Sequence, residues 1–143
     1  MQAWGGMLRV HALVMEALDD ELEFEQRLPL SSYDVLTNLS AAPGGQRRMN
    51  ELANHVLMSK SGLTRVVDVL EKQGLVERIR SGADGRGLYA RLTPAGRTKF
   101  RAAHKVHLRG VRARFLDKLT EPQLQSLAEA WKSVHPEWFP ADS

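Results

Sequence analysis

The sequence predicts a mainly α-helical fold (α+β) with one β-hairpin, and three observations support this prediction. Apolar residues recur three and four positions apart over most of the chain, which is the period of an amphipathic helix. Two short segments, 75–80 and 88–93, are strand-like, and the second alternates apolar and polar residues as a half-buried strand does. The chain has 143 residues, 43% of them hydrophobic and 26% charged, which is typical of one soluble globular domain.

Both ends of the chain predict helices with more apolar surface than one small core can cover. The first helix spans roughly 3–27. A heptad-like seam runs along it, formed by Trp4, Leu8, His11, Met15, Leu18 and Leu22. A long helix capped by Thr93 is expected to continue without a break to about Leu119, over about 35–40 Å. Thr120 then begins a last helix with a capping-box pattern. A second copy of the chain is one partner that could cover these surfaces.

The middle of the chain predicts shorter elements. Ser31 or Ser32 begins a second helix, and Asn50 caps a third, which extends to about Val56. The segment 46–49, between these two helices, could add a strand.

The segment 59–74 predicts a short helix with one apolar and one polar side. Ser59 can cap its start, and Gly74 can end it in the left-handed conformation. The apolar side consists of Leu63, Val66, Val67 and Leu70, and the polar side of Ser61, Thr64, Arg65 and Asp68, with Lys60 on its flank. A three-residue turn joins this helix to the third one, which makes a helix-turn-helix. In that motif the second helix enters the major groove, where Arg65 can bind guanine O6 and N7. The alternative is an ordinary solvated helix face.

The hairpin tip, 81–87, and the charge distribution both favour contact with DNA. Asp84 could hold the Arg86 guanidinium, and Arg86 could then enter a minor groove; simple turn chemistry and a solvated tip are the alternatives. Residues 59–101 carry ten Lys/Arg and four Asp/Glu, a net +6. Since the whole chain carries +3, the remainder carries −3. A basic middle within an acidic remainder is typical of a surface that meets phosphates.

Several functional classes lack their signatures in this sequence. It contains no cysteine, which excludes disulfides, thiolate metal sites and thiol redox sensing. We expect no membrane span, no secretory signal and a cytoplasmic location. No phosphate-binding loop or catalytic triad pattern is present, so we expect no enzyme and no cofactor. His104 and His107 lie three apart on one helix and could share a metal ion, but a hydrogen-bonded core histidine is the commoner role, and we predict no metal site.

These motifs together resemble the MarR family of bacterial transcriptional regulators. The resemblance is carried by SGLTRVVDVLEKQGLVER at 61–78, by Asp84-Gly85-Arg86-Gly87, and by LTPAG at 92–96. It implies a single domain over 1–143 with a winged helix-turn-helix lobe at 31–96 and a two-stranded wing. Residues 1–30 and 97–143 would be the long dimerisation helices of a homodimer.

The resemblance also implies a function and a set of contacts. Most members repress transcription by binding a palindromic operator in double-stranded DNA, and many release it on binding a small molecule, often an aromatic acid. By match of position, three residues would contact bases in the major groove: Ser61, Thr64 and Arg65. Arg86 would enter the minor groove, steadied by Asp84, while Lys60 and Arg78 would hold phosphates.

An effector pocket, if present, is expected between the dimerisation helices and the DNA-binding lobe. His11, Tyr33 and Arg114 are its candidate lining residues, and each has an ordinary packing or surface role as its alternative. A different function is also open at this stage, namely a winged-helix protein-interaction module without DNA binding or effector response.

Overall fold

The computed structural model describes residues 1–81 and 87–138 of the chain. Six α-helices and three strands make up the described part, besides short 3₁₀ turns. The helices are α1 (Gln2–Gln26), α2 (Leu30–Ala41), α3 (Met49–His55), α4 (Lys60–Lys72), α5 (Pro94–Arg114) and α6 (Glu121–Val134). The strands are β1 (Gln46–Arg48), β2 (Val76–Ser81) and β3 (Gly87–Leu92). The predicted fold class, mainly α with a winged helix-turn-helix, is confirmed.

The sheet contains three strands, namely the predicted two-stranded wing and one more. β2 and β3 form an antiparallel hairpin from Val76↔Leu92 to Ser81↔Gly87. β1 pairs with the other edge of β3, so β3 is the central strand. This confirms the suggestion of a strand within 46–49. The chain reaches β3 because Gly44 and Gly45, with φ of 65° and 70°, reverse its direction in a conformation that glycine adopts at low cost.

One apolar core joins the winged helix-turn-helix lobe to the first and fifth helices. Its largest fully buried side chains are Leu22, Leu28, Leu36, Leu39, Leu52, Leu63, Leu70, Val35, Val67 and Val76. Three of the four residues in the predicted apolar stripe of α4 are among them, and Val66 is half-buried beside them. Each buried leucine or valine contributes about 1.5–3 kcal/mol on leaving water, so α4 is held firmly by one side.

The ends of two helices differ from the prediction because tertiary contacts set them. α2 begins at Leu30 rather than at Ser31 or Ser32, since Asp19 of α1 accepts the Leu30 backbone N–H at 2.7 Å and so supplies the cap from outside the helix. The prediction that Asn50 caps α3 is also wrong. Arg48 still pairs with Tyr89 in the sheet, and the helix begins directly after it at Met49.

The long helix predicted from Thr93 is confirmed at its start and wrong at its end. Thr93 Oγ1 accepts the Gly96 N–H at 3.0 Å, which is the predicted cap. The α-helix stops at Arg114, where Phe115 leaves helical geometry with φ −128° and ψ −64°, and a 3₁₀ turn follows at Leu116–Lys118. No proline or glycine lies at this break, so no local feature of the sequence predicts it.

Both terminal regions expose apolar side chains. On α1, Trp4, Leu8, Val10 and Leu13 are between 48% and 59% exposed. No residue of α6 is buried, although Leu124, Leu127 and Trp131 form its apolar side. In the described ranges, no helix is both long enough and apolar enough to cross a membrane.

Candidate nucleic-acid interface

The N-terminal half of α4 presents a row of exposed polar side chains. Ser59 caps the helix by accepting the Gly62 N–H at 3.0 Å. Lys60, Ser61, Thr64 and Arg65 are all exposed, while the opposite side of the helix is buried in the core. The Thr64 hydroxyl donates to the Lys60 carbonyl at 2.9 Å, which fixes its rotamer. The positive end of the helix dipole and its free N–H groups lie at the same place, and both favour anions such as phosphate.

The turn before α4 is tight and strained. Leu57 has a φ of 54°, a left-handed conformation that a leucine rarely adopts, and its side chain is 77% exposed. The Met58 N–H donates to the Ala53 carbonyl at 3.1 Å and closes the turn. This geometry sets the angle between α3 and α4, and therefore the direction in which Ser61 and Arg65 project.

The hairpin leads directly to the wing tip. Ser81↔Gly87 is the last described pair of β2 and β3, and five residues lie between them in the sequence. Asp84 and Arg86, the predicted minor-groove residues, are among these five and fall outside the described residues.

Arg78, predicted to hold a phosphate, lies against α4 in the structure. Its guanidinium donates to Glu71 Oε2 at 2.5 Å and to Asp68 Oδ1 at 2.6 Å, and its side chain is only 18% exposed. A third, longer bond reaches the Thr64 carbonyl at 3.3 Å. Burial by itself lowers the pKa of Arg78, but the bonds to Asp68 and Glu71 outweigh it and hold this pKa above its ordinary value.

Sequence reasoning missed the two arginines of β1, one of which lies beside α4. Arg48 Nε donates to the Tyr89 hydroxyl at 2.8 Å, and its guanidinium lies 5.4 Å from the centre of that ring. Together with Asn50 and Thr64, Arg48 lines a polar depression between β1, α4 and the start of β3. The neighbouring Arg47 contacts His55 Nε2 at 2.6 Å. The two arginines follow one another in the segment 46–49, so a firmer strand prediction there would have placed them beside β3.

The three predicted effector residues lie in different surroundings. Tyr33 is 3% exposed, its hydroxyl is 2.9 Å from His104 Nδ1, and its ring stacks on His107 with centroids 4.4 Å apart. Arg114 pairs with Glu21 at 2.6 Å, and His11 is exposed on α1. In the described part of the chain, none of these contacts joins two of the three residues. The effector site therefore stays a prediction.

His104 and His107 belong to this aromatic cluster. Burial lowers the pKa of His107, and the neighbouring His104 lowers it further, so the neutral ring is favoured. Across residues 1–81 and 87–138, no group of three or more His, Asp or Glu side chains is arranged to hold a metal ion.

Similar proteins point to one family. A sequence model described as MarR family matches residues 28–87. The HTH-type transcriptional repressor Rv2887 of Mycobacterium tuberculosis is 38% identical over 96 residues, which is 67% of this chain and 67% of that protein. The crystal structure of AbsC, a MarR family transcriptional regulator from Streptomyces coelicolor, is 33% identical with a TM-score of 0.88, over 95% of this chain and 91% of that one. The chain belongs to the MarR family.

Another MarR family relative was solved on its nucleic-acid partner. Sco3205, a transcriptional regulator from Streptomyces coelicolor in complex with DNA, is 31% identical with a TM-score of 0.88. The similarity covers 99% of this chain and 89% of that one. Membership of the MarR family makes the chain a transcriptional regulator, and it confirms the resemblance on which the sequence interpretation depended.

Proposed function

We propose that the protein regulates transcription by binding double-stranded DNA through the exposed side of α4. The observation that carries this proposal is the division of that helix. Leu63, Val67 and Leu70 are buried, while Ser61, Thr64 and Arg65 face outward at its N-terminal end. An arginine in that position can bind guanine O6 and N7 bidentately, whereas Ser and Thr are less selective. The DNA complex of the similar Sco3205 supports this use of the fold.

Phosphate and minor-groove contacts complete the proposed interface. Lys60 begins α4 and is exposed, so it would meet a phosphate beside the groove. Arg86 would enter the minor groove with Asp84 holding its guanidinium, as the family resemblance implies. Exposed Arg48, at the end of β1, is a further cation on the side of Thr64.

The functional unit is proposed to be a homodimer in which residues 1–30 and 97–143 join the subunits and 31–96 bind DNA. The apolar sides of α1 and α6 support this, because Trp4, Leu13 and Val134 are more than half exposed in the single chain. A two-fold dimer places two copies of α4 about 34 Å apart, one turn of the duplex, so the operator would be palindromic.

The sign of regulation and its control are proposed from relatives and family resemblance. The similar Rv2887 is a transcriptional repressor, which supports repression here. Release would follow binding of a small molecule, often an aromatic acid, near His11, Tyr33 and Arg114. A thermal-shift screen with aromatic acids tests this, since a ligand at about 100 times its Kd adds about 2.7 kcal/mol to stability. A cytoplasmic location agrees with this role.

DNA binding is tested by fluorescence anisotropy with the duplex that the wild-type protein enriches from a random-sequence library. Replacing Arg65 with alanine is expected to weaken binding by about 1–3 kcal/mol and to relax the base preference at one position of each half-site. Lys105→Ala removes one exposed charge from α5 and serves as the matched control, with affinity expected to stay the same. If the wild-type protein enriches no duplex even at low salt, the chain is a winged-helix interaction module instead.

A further inference from the structure

Arg78 makes the shortest polar contacts between β2 and α4. Its backbone N–H donates to Glu71 Oε1 at 3.0 Å, so the main chain and the side chain of Arg78 both donate hydrogen bonds to the same carboxylate. The other guanidinium nitrogen donates to Asp68 at 2.6 Å and to the Thr64 carbonyl at 3.3 Å. Thr64, Asp68 and Glu71 are spaced by four and three residues, so they lie on one side of α4 and on consecutive turns. One arginine of β2 therefore spans two turns of the helix that carries Ser61 and Arg65.

The charges at this junction argue against a simple phosphate contact by Arg78. Asp68 and Glu71 are 49% and 41% exposed, and without a partner both carboxylates would repel a DNA backbone passing along α4. The guanidinium lies between them and is mostly covered. To reach a phosphate it would have to leave two charge-assisted bonds, which are stronger than neutral ones.

We propose that Arg78 is a positioning residue, a strut that fixes the angle between the wing hairpin and α4 and thereby sets which bases the helix can reach. We define the arginine strut as Arg78 with Asp68 and Glu71. Arg78 links α4 to the wing hairpin. In the proposed complex, α4 enters the major groove by its N-terminal half while the hairpin tip enters the adjacent minor groove. Because the guanidinium is a rigid planar fork, it defines an orientation, whereas a lysine ammonium would supply the same charge without it. This inference rests on the proposed DNA-binding function.

The opposite face of the same hairpin supplies a matched control. Arg91 of β3 pairs with Glu77 of β2 at 2.8 Å, and the two side chains are 43% and 45% exposed. This is also an arginine–carboxylate pair, but it joins the two strands of the hairpin and does not reach α4. Arg91→Gln should therefore leave base discrimination unchanged.

The decisive quantity is the ratio of affinities for the enriched duplex and for a scrambled duplex of the same composition, measured with the full-length protein. A change in charge alone alters the two affinities by the same factor, so it leaves their ratio unchanged. We expect Arg78→Gln to lower this ratio about tenfold. The double variant Asp68→Ala/Glu71→Ala should lower the ratio by a similar factor, although it removes two negative charges. The triple variant should have a ratio no lower than that of Arg78→Gln or of the double variant, because the three residues act as one unit. Arg78→Lys should not restore the ratio.

A phosphate contact predicts a different pattern. Arg78→Gln would then weaken both duplexes equally and reduce the slope of log K against log salt by about 0.9, while Arg78→Lys would restore binding. Loss of the two carboxylates would strengthen binding. That pattern would overturn the strut, as would an unchanged ratio in Arg78→Gln. Thermal unfolding of each variant confirms that it is folded.

A measurement without DNA separates failure of the strut from failure of the proposed function. The chain has no cysteine, so spin labels can be attached through Lys72→Cys at the end of α4 and Arg80→Cys on β2. Both positions are exposed. When the labelled protein is mixed with an excess of unlabelled chain, so that each proposed dimer carries one labelled subunit, the strut predicts one narrow intramolecular distance distribution. This distribution should broaden when Asp68 and Glu71 are replaced by alanine. An equally narrow distribution in that variant would refute the strut whether or not the wild-type protein binds DNA.

Discussion

Gly96 marks the closest approach of two backbone segments, and adding one methyl group there tests the packing of the lobe against α5. A Cβ on Gly96 would lie 2.0 Å from the Leu75 carbonyl oxygen. The segments would have to separate by about 1 Å or more to reach an ordinary contact distance. That carbonyl accepts the Thr93 N–H and the Thr93 hydroxyl, each at 3.1 Å. Gly96→Ala should therefore disrupt both bonds.

The expected cost can be estimated from these contacts. Two hydrogen bonds contribute about 1 kcal/mol each, and the cap in which Thr93 accepts the Gly96 N–H contributes about 1 kcal/mol more. Alanine returns about 1 kcal/mol through its higher helix propensity, and residual strain adds about 1–2 kcal/mol. The net loss is about 3–4 kcal/mol, or roughly 8–15 °C in Tm for a chain of this size.

The assay is urea and thermal unfolding followed by far-ultraviolet circular dichroism. The protein concentration is held fixed, because the stability of the proposed dimer would depend on it. Gly6→Ala is the control, since within the single chain an added Cβ would contact nothing within 4 Å beyond its sequence neighbours and the backbone of α1. This change should stabilise α1 by about 0.5–1 kcal/mol. A Gly96→Ala protein as stable as the wild type would show that the close approach to Leu75 is wrong.

Two further stability predictions follow from the turn and from α2. Leu57→Gly should raise the urea midpoint and the free energy of unfolding, the latter by about 0.5–1 kcal/mol. The reason is that it removes a leucine held in the left-handed conformation, whose side chain packs little. A lower midpoint would show that Leu57 is not strained. Burial raises the pKa of Asp34 from 3.8 to about 6. The pKa of Asp34 is higher in the folded state than in the unfolded state, so folding favours the protonated carboxyl. This contribution to stability is fully present below pH 3.8 and is lost as the pH rises through 6. Asp34→Asn should therefore stabilise the protein at pH 7.5 by about 2 kcal/mol and lose that advantage near pH 4, as seen in unfolding curves across this range. A gain that does not vary with pH would exclude titration of Asp34 as its cause.

Local signals predicted much of the winged helix-turn-helix lobe. The period of α4 identified its buried side, and Ser59 and Thr93 were recognised as caps because their bonds reach only three residues ahead. The strand alternation placed β2 and β3 within one or two residues of their observed ends. These features depend on contacts between residues close together in the sequence, so they can be predicted from the sequence alone.

Contacts distant in sequence could not be predicted in the same way. Asp19 caps α2 from eleven residues away, and the Tyr33–His104 contact joins residues 71 positions apart. The arginine strut is the clearest case in the candidate site. Arg78 matched a phosphate-binding position of the family, and only its placement against Asp68 and Glu71 suggests another role. The sequence supplied the charges and their order, while the packing of β2 on α4 decided their partners.

Methylation protection of guanine N7 tests the central claim most directly, because this atom lies in the major groove and is an atom that Arg65 would bind. With the enriched duplex, the wild-type protein should protect guanines in two symmetric half-sites about 10 base pairs apart. Arg65→Ala should lose that protection in both half-sites while the outer phosphate contacts persist. Protection of a single half-site, or the same guanine protection in Arg65→Ala, would contradict a dimer that recognises its operator through α4.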